Sequence, residues 1–487
     1  MKKRTYALLL TALLISMTVS SCAEEKQPEA ESAPEGETVT ETAAPETEDP
    51  TRYAAPEVKD LGGFTLNVAT SSWINCDKMF LPDTMTGEVV DDTIFETVSQ
   101  IQDKYNASIH LQKFNSFQEV TDAVYQSVMG GDNEFGLSYN HDSQTVSNAM
   151  KNVFLNLRDA KNIDFDAPWW TETADSFTIG GKQFFASNHM TYSGIYLAFG
   201  LCYNKTLAAA LDITIPYEDI AAGNWYMNDM IAMAKASYAD LNGDDKMEIG
   251  SDRYGFVSSA QGLINLQHSF GQSVFAKDEG GMLTYGLDGD LFIKELTAFE
   301  DLMESGYWNK KEDDGRYGGT EFAQGNVLFD YLQIRIIPEY LRQSKVEFGF
   351  IPLPKLDETQ KEYFTSAYDV FWGIPKTASG DVDSITLLTE AMGYNCYYNI
   401  LPLVYESTLK TKLSESPEDA ATFDILRDTI HVDAGYAFIE QNSWSMWGIV
   451  AGFSQITSGN AASRIESSKN SVDGVVKLVN QFYSEAE

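Results

Sequence analysis

The chain has 487 residues, of which 72 are Asp or Glu and 34 are Lys or Arg, giving a net charge of -38. A surface this acidic repels phosphate backbones and excludes nucleic acid as an expected partner. Aromatic residues at 12% and a mean hydropathy of -0.25 are those of a soluble globular body, and its length calls for two domains.

Lys2, Lys3 and Arg4 precede an apolar run from Ala7 to Val19, with small residues at Ser20 and Ser21. These are the three parts of a secretory signal, and the run is shorter than the roughly twenty apolar residues that span a bilayer. Cys22 directly after the small residues resembles a bacterial lipoprotein box, so residues 1–21 are expected to be removed and Cys22 acylated. Residues 22–57 are rich in Glu, Pro, Thr and Ala with almost no large apolar side chain, the composition of a disordered acidic linker. The expected location is the outer face of the cell membrane, on a lipid tether. Cys76, Cys202 and Cys396 show no paired spacing, which argues against a disulfide framework.

Phe64 to Val68 reads as a buried strand, and Val90, Ile94, Val98, Ile101 and Tyr105 recur at helical spacing. Ser108 to Gln112 returns to strand alternation, Val120, Val124 and Val128 mark a second helix, and Phe135 to Tyr139 a third strand. This order predicts a parallel sheet covered on both faces, with ligands outside the carboxyl ends of its strands. The loop holding Ser71, Ser72 and Trp73 is therefore a candidate rim. Leu197 to Tyr203 is a further strand, Thr206 to Leu211 a helix, and Asn228 a candidate cap for a helix whose Met227, Met230, Ile231 and Ala234 form a core face. Gly325 to Phe329, Phe348 to Pro354 and Val370 to Ile374 read as strands, with helices from about Ser384 onward.

Tyr203-Asn204-Lys205 after an apolar strand, Pro216-Tyr217 before Gly223-Asn224-Trp225, and Phe322-x-x-Gly325 with Leu328-Phe329 form an ordered set. Phe348-Gly349 leading to Pro352-Leu353-Pro354-Lys355, then Ile374-Pro375-Lys376, complete it. Over roughly residues 60 to 450 these resemble the extracellular solute-binding proteins of ABC importers, in their maltose-binding-like Gram-positive lipoprotein branch. The resemblance implies an α/β periplasmic-binding-protein-like fold of class II, two α/β lobes with a hinged interlobe cleft. It places residues 58–205 plus 371–430 in lobe 1 and 206–370 plus 431–487 in lobe 2. It also implies a small-molecule solute, a sugar or oligosaccharide, handed by a monomer to ABC permease subunits. The alternatives are a surface polysaccharide-binding adhesin and a glycoside hydrolase.

Sugar recognition needs aromatic faces against C–H bonds and fixed hydrogen-bond partners for hydroxyls. Trp73 on the first loop is the leading candidate, followed by Tyr368, Asp369 and Trp372 on a segment that passes between lobes. Asn188 and Tyr192 follow Phe184-Phe185, and Trp444 and Trp447 offer further rings. Trp169, Trp170 and Trp225 read as structural. Asp240, Asn242, Asp244, Lys246 through its carbonyl, and Glu248 reproduce the spacing of an EF-hand-type loop and predict a structural Ca2+. Asp245 stands where that loop has glycine, and Ser251 where it has its final acid. No catalytic cofactor is expected: His110, His141, His189, His268 and His431 show no metal spacing, and neither a nucleophile elbow nor a phosphate loop is present. The chain is read as a binding protein and not an enzyme.

Overall fold

The computed structural model describes residues 52–170, 173–309, 319–406, 417–438 and 457–486. The signal, Cys22, nearly all of the linker, Trp444 and Trp447 lie outside them. The described residues from Tyr53 onward form one compact unit. Its strands in chain order are β1 (Phe64–Ser71), β2 (Ala107–Phe114), β3 (Leu137–His141), β4 (Phe199–Asn204), β5 (Tyr254–Ser259), β6 (Phe275–Lys277) and β7 (Leu283–Tyr285). β8 (Gly306–Asn309), β9 (Val327–Gln333), β10 (Phe348–Ile351), β11 (Thr365–Ser366), β12 (Val370–Gly373) and β13 (Ile430–His431) follow.

The first sheet has the order β12-β3-β1-β2. β1 runs parallel to both β2 and β3, as the strand-helix-strand order predicts, whereas β12 joins antiparallel with Trp372 opposite Tyr139. The helix Val89–Tyr105 buries Ile94, Val98, Ile101 and Tyr105, the residues whose spacing announced it. The helix Phe117–Gly130 starts where the Ser116 hydroxyl accepts from the Glu119 amide, 3.2 Å away. Because β1 lies between β2 and β3, the chain order reverses between β1 and β3, and their carboxyl ends flank a topological switch point.

The second sheet has the order β10-β4-β9-β5-β8. β5 is parallel to β8 and β9, and β4 antiparallel to β9 and β10. β5 presses against the helix Met227–Ser237 at Gly255, where an added Cβ would lie 2.2 Å from the Ala234 main-chain oxygen. That helix begins one residue before Asn228, with Tyr226 at its cap; its main chain is drawn into an extended entry by the Met227 amide bonding the Lys355 carbonyl, 2.9 Å. Asn228 therefore sits inside the helix, and the Asp229 carboxylate accepts the Tyr226 amide instead, 3.3 Å.

Segments 186–198 and 367–372 run side by side between the sheets, antiparallel at the bridges Ala186 to Trp372 and Ala198 to Ala367. The helix Pro417–Asp428 packs beside β10 at the edge of the second sheet. The helix holds β10 through the Thr422 hydroxyl on the Phe350 carbonyl, 3.1 Å, and Asp419 receives Lys205 and Tyr217. The helix Ala461–Glu485 touches Phe184 and the strand β7. Phe482 and Tyr483 pack on Phe184, and Asn480 pairs with the Leu283 main chain at 2.9 and 2.8 Å.

Trp169, Trp170 and Trp225 are all buried, in keeping with their structural reading. The Trp169 and Trp170 indoles donate to the two oxygens of Glu390 at 3.0 and 2.9 Å, and Trp225 donates to the Pro352 carbonyl at 3.2 Å. Cys76, Cys202 and Cys396 are free, buried thiols, and burial raises the pKa of each. Among the described residues no helix is long and apolar enough to cross a membrane.

Candidate functional site

Trp73 stands just past the carboxyl end of β1, half-buried, with its amide on the Ser71 hydroxyl. The next two residues, Ile74 and Asn75, have φ of 44° and 62°. A β-branched side chain in the left-handed region is strained, and strain of this kind collects where a loop must aim a side chain. The loop aims the indole at the end of β3. The Trp73 ring centroid is 4.5 Å from that of His141 and 6.0 Å from that of Phe117, and Phe117 and His141 are 5.0 Å apart. Three rings from three βα junctions thus meet at the switch point.

His141 leads inward to charge. Its Nδ1 is 2.7 Å from the Asp142 carboxylate and 3.2 Å from the Ser143 hydroxyl. Asp142 is buried and raises the proton affinity of Asp369, the acid on the second crossing segment. Asp369 is itself buried: the Ser187 and Ser193 hydroxyls donate to its two oxygens, and the Val370 amide donates at 2.8 Å. Burial pushes its pKa up to about 6, against the pull of these donors. The chain of hydroxyls continues from Ser193 to Thr191 at 2.9 Å and on to Tyr139 of β3 at 2.8 Å. One carboxylate therefore ties both crossing segments to the first sheet.

Tyr368 precedes it. Its hydroxyl accepts from the Asn265 side-chain Nδ2 at 2.7 Å, and its ring lies 4.7 Å from that of Tyr436 and 5.7 Å from that of Phe199. Asn265 in turn accepts from Ser366, 2.7 Å, so the helix Ala260–His268 is anchored to the segment that enters β12. On the first crossing segment Tyr192 packs edge-on to Tyr196, 5.5 Å. Tyr196 donates to Glu339 at 3.0 Å, and Arg335 holds the other oxygen of Glu339 at 2.8 Å.

Trp372 and Asn188 act as a pair. Trp372 is 1% exposed, its ring 6.0 Å from that of Trp170, and its indole donates to the Asn188 side-chain oxygen Oδ1 at 3.0 Å. With no face open, Trp372 belongs to the core beneath the crossing. Among the described residues nothing hydrogen-bonds the buried Asn188 side-chain nitrogen Nδ2. Of the sequence-predicted site residues, Asn188, Tyr192, Tyr368, Asp369 and Trp372 thus gather along the crossing segments, and Trp73 stands at the switch point. Phe117, His141, Asn265, Tyr436, Ser187 and Ser193 join them unforeseen. His141 was within reach of sequence reasoning, because it ends the strand beside β1, at the same carboxyl edge of the sheet as Trp73.

The loop 240–251 folds on its own amides. Asp240 accepts from the amides of Asn242, Gly243 and Asp245 at 3.1, 2.7 and 2.9 Å, and Asn242 and Asp244 each accept an amide two residues on. Asp245 has φ of 60°, the conformation that glycine serves in an EF-hand loop. Asp252 receives the Leu241 and Glu248 amides at 2.9 and 2.8 Å. Among the described residues no three His, Cys, Asp or Glu side chains are grouped to hold a metal ion.

No protein-family model and no curated protein sequence matches the chain. Solved structures do. An ABC substrate-binding protein from Listeria monocytogenes in complex with cycloalternan aligns at TM-score 0.51 and 16% identity, over 86% of this chain and 99% of that one. A sugar transporter from Rhizobium etli in an open conformation aligns at TM-score 0.55 and 12% identity, over 87% and 100%. The maltose-binding periplasmic protein of Listeria monocytogenes with maltose aligns at TM-score 0.52 and 14% identity, over 87% and 98%. At these identities the likeness shows the fold, an α/β periplasmic-binding-protein-like fold of class II.

Proposed function

We propose that this chain is the solute-binding lipoprotein of an ABC importer, and that it takes a sugar or oligosaccharide into a cleft beside the crossing segments. The observation that carries this reading is the ring cluster of Trp73, His141 and Phe117 at the β1/β3 switch point, next to the buried Asp142 and Asp369. Aromatic faces there supply C–H contact, and the nearby acids and hydroxyls supply fixed partners for sugar hydroxyls. Its fold is shared by an ABC substrate-binding protein that holds cycloalternan and by a maltose-binding periplasmic protein that holds maltose.

In this reading the paired segments 186–198 and 367–372 act as the hinge, and ligand favours the closed form by a few kcal/mol. The acylated Cys22 and the acidic linker hold the body at the outer membrane face, within reach of the permease. The role is capture without turnover. For the loop 240–251 we propose a structural Ca2+, for which Asp240 and Asp244 would turn their free lone pairs inward; addition of calcium would then raise the melting temperature, and magnesium would not.

Titration of the purified protein with maltose, maltotriose and larger glucans, followed by intrinsic tryptophan fluorescence and by thermal melting, tests the main proposal. A saturable response with a raised transition is expected. Release of reducing sugar from any of these glycans overturns capture in favour of hydrolysis, and silence across the panel overturns the sugar assignment.

A further inference from the structure

The two ring nitrogens of His141 have different surroundings. One Asp142 oxygen takes both the Ser143 amide, at 2.5 Å, and His141 Nδ1, at 2.7 Å. A carboxylate oxygen can only accept, so Nδ1 carries the hydrogen and Nε2 is the bare acceptor of the neutral ring. Among the described residues Nε2 has no hydrogen-bond partner. Unlike both nitrogens of His268 it is not sealed from solvent, and the His141 side chain keeps 17% of its surface open.

This open acceptor belongs to a ring that Trp73 and Phe117 approach to 4.5 and 5.0 Å. Apolar surface beside one polar atom suits a pyranose, which offers a C–H face and hydroxyls at its rim. The charge here is negative. Asp142 touches Nδ1, and Asp142 in turn raises the proton affinity of the buried Asp369. Lys113, near the carboxyl end of β2, is committed to Asp77 and Asp83 at 3.1 and 2.7 Å. Among the described residues no Lys or Arg pairs with Asp142 or Asp369. A ligand carboxylate would therefore meet two acids and at most one imidazolium, and like charges repel strongly where water is sparse.

Resting on the sugar cleft proposed above, we propose that His141 selects the solute: Nε2 accepts a hydroxyl hydrogen from an uncharged sugar lying against Trp73, and a sugar with a carboxylate in that place is refused. Asp142 is the positioning residue, because it decides which nitrogen keeps the hydrogen.

Maltotriose and its counterpart with the terminal C6 oxidised to a carboxylate are the probes, followed by calorimetric titration of the intact protein. The acid should bind about tenfold more weakly or worse. His141→Phe keeps a ring against Trp73 and Phe117 and removes both nitrogens, and maltotriose affinity should fall by about tenfold. A second measurement uses the unaltered protein: carbethoxylation by diethyl pyrocarbonate, located by peptide mass, with His110, exposed on β2, as the internal reference. Both histidines should react in the free protein, and maltotriose should protect His141 alone. Equal binding of the two probes, undiminished binding to H141F, a His141 inert in the free protein, or a His141 that reacts equally with and without maltotriose each overturns the proposal. If H141F melts well below the parent protein, the carbethoxylation result decides. Silence to maltotriose overturns the role of His141, and silence to every glucan overturns the sugar cleft as well; binding that ignores His141 leaves the cleft standing without this selector.

Discussion

Trp73 and His141 lie with ring centroids 4.5 Å apart and planes tilted by 44°, so the loop after β1 leans on the last residue of β3. Trp73→Ala removes one stacking face while leaving the sheet beneath it intact. An aromatic side chain of this kind contributes about 1.5–3 kcal/mol when buried. We expect sugar affinity to fall by about ten- to a hundredfold, with the unliganded melting temperature within a few degrees of the parent. Fluorescence titration and melting on the same sample separate the two effects.

Asp369 carries a pH signature. Its pKa rises from 3.8 to about 6 because it is buried. An acid with a raised folded value holds its proton in the native state while the unfolded chain has lost it. Its contribution to stability is therefore full below pH 3.8 and is lost as pH rises through about 6. The loss is on the order of 3 kcal/mol. Asp369→Asn should flatten the stability profile between pH 4 and 6, as read from urea unfolding at a series of pH values; an unaltered slope would show that Asp369 titrates normally.

Glu390 should behave likewise in a higher window. Burial raises it from 4.5 to about 7, although the Trp170 and Trp169 indoles stabilise its charge. Its favourable contribution is present below pH 4.5 and disappears as pH climbs through about 7. Trp170→Phe deletes one of these donors. We expect a cost of about 1.5–3 kcal/mol at pH 8, where the carboxylate is ionised, and a smaller one at pH 5. Denaturant midpoints at the two pH values give the comparison.

Two glycines should respond with opposite sign. At Gly255 a new Cβ would stand 2.2 Å from the main-chain oxygen of Ala234, which cannot swing aside. Gly255→Ala should therefore cost at least about 3 kcal/mol, at the upper end of overpacking. Gly474 lies within the helix Ala461–Glu485 with nothing within 4 Å of an added Cβ. Gly474→Ala should stabilise by about 0.5–1 kcal/mol.

The first sheet was legible because each element repeats its burial in its spacing: Ile94, Val98, Ile101 and Tyr105 can face only one way on a helix. The antiparallel entry of β12 was not, since Val370 to Gly373 is buried at every position and an unbroken apolar run carries no direction. The site was half legible. Trp73 follows from strand order and the switch-point rule, and Asp369 from its place on a crossing segment. Phe117, Asn265 and Tyr436 meet their partners across 44, 103 and 68 residues of sequence, and no local pattern announces such meetings. Trp372 misled because an indole on a crossing segment looks the same in sequence whether it faces the gap or, as here, gives its N–H to Asn188 in the core.

Cys76, Cys202 and Cys396 are each fully buried, and burial keeps them as neutral thiols. Neutral, enclosed sulfur is a poor nucleophile and a poor target for oxidants. The compact body can thus pass between reducing and oxidising surroundings without a covalent record of the journey, and a thiol reagent should find Cys76, Cys202 and Cys396 unreactive in the folded protein and reactive once urea unfolds it.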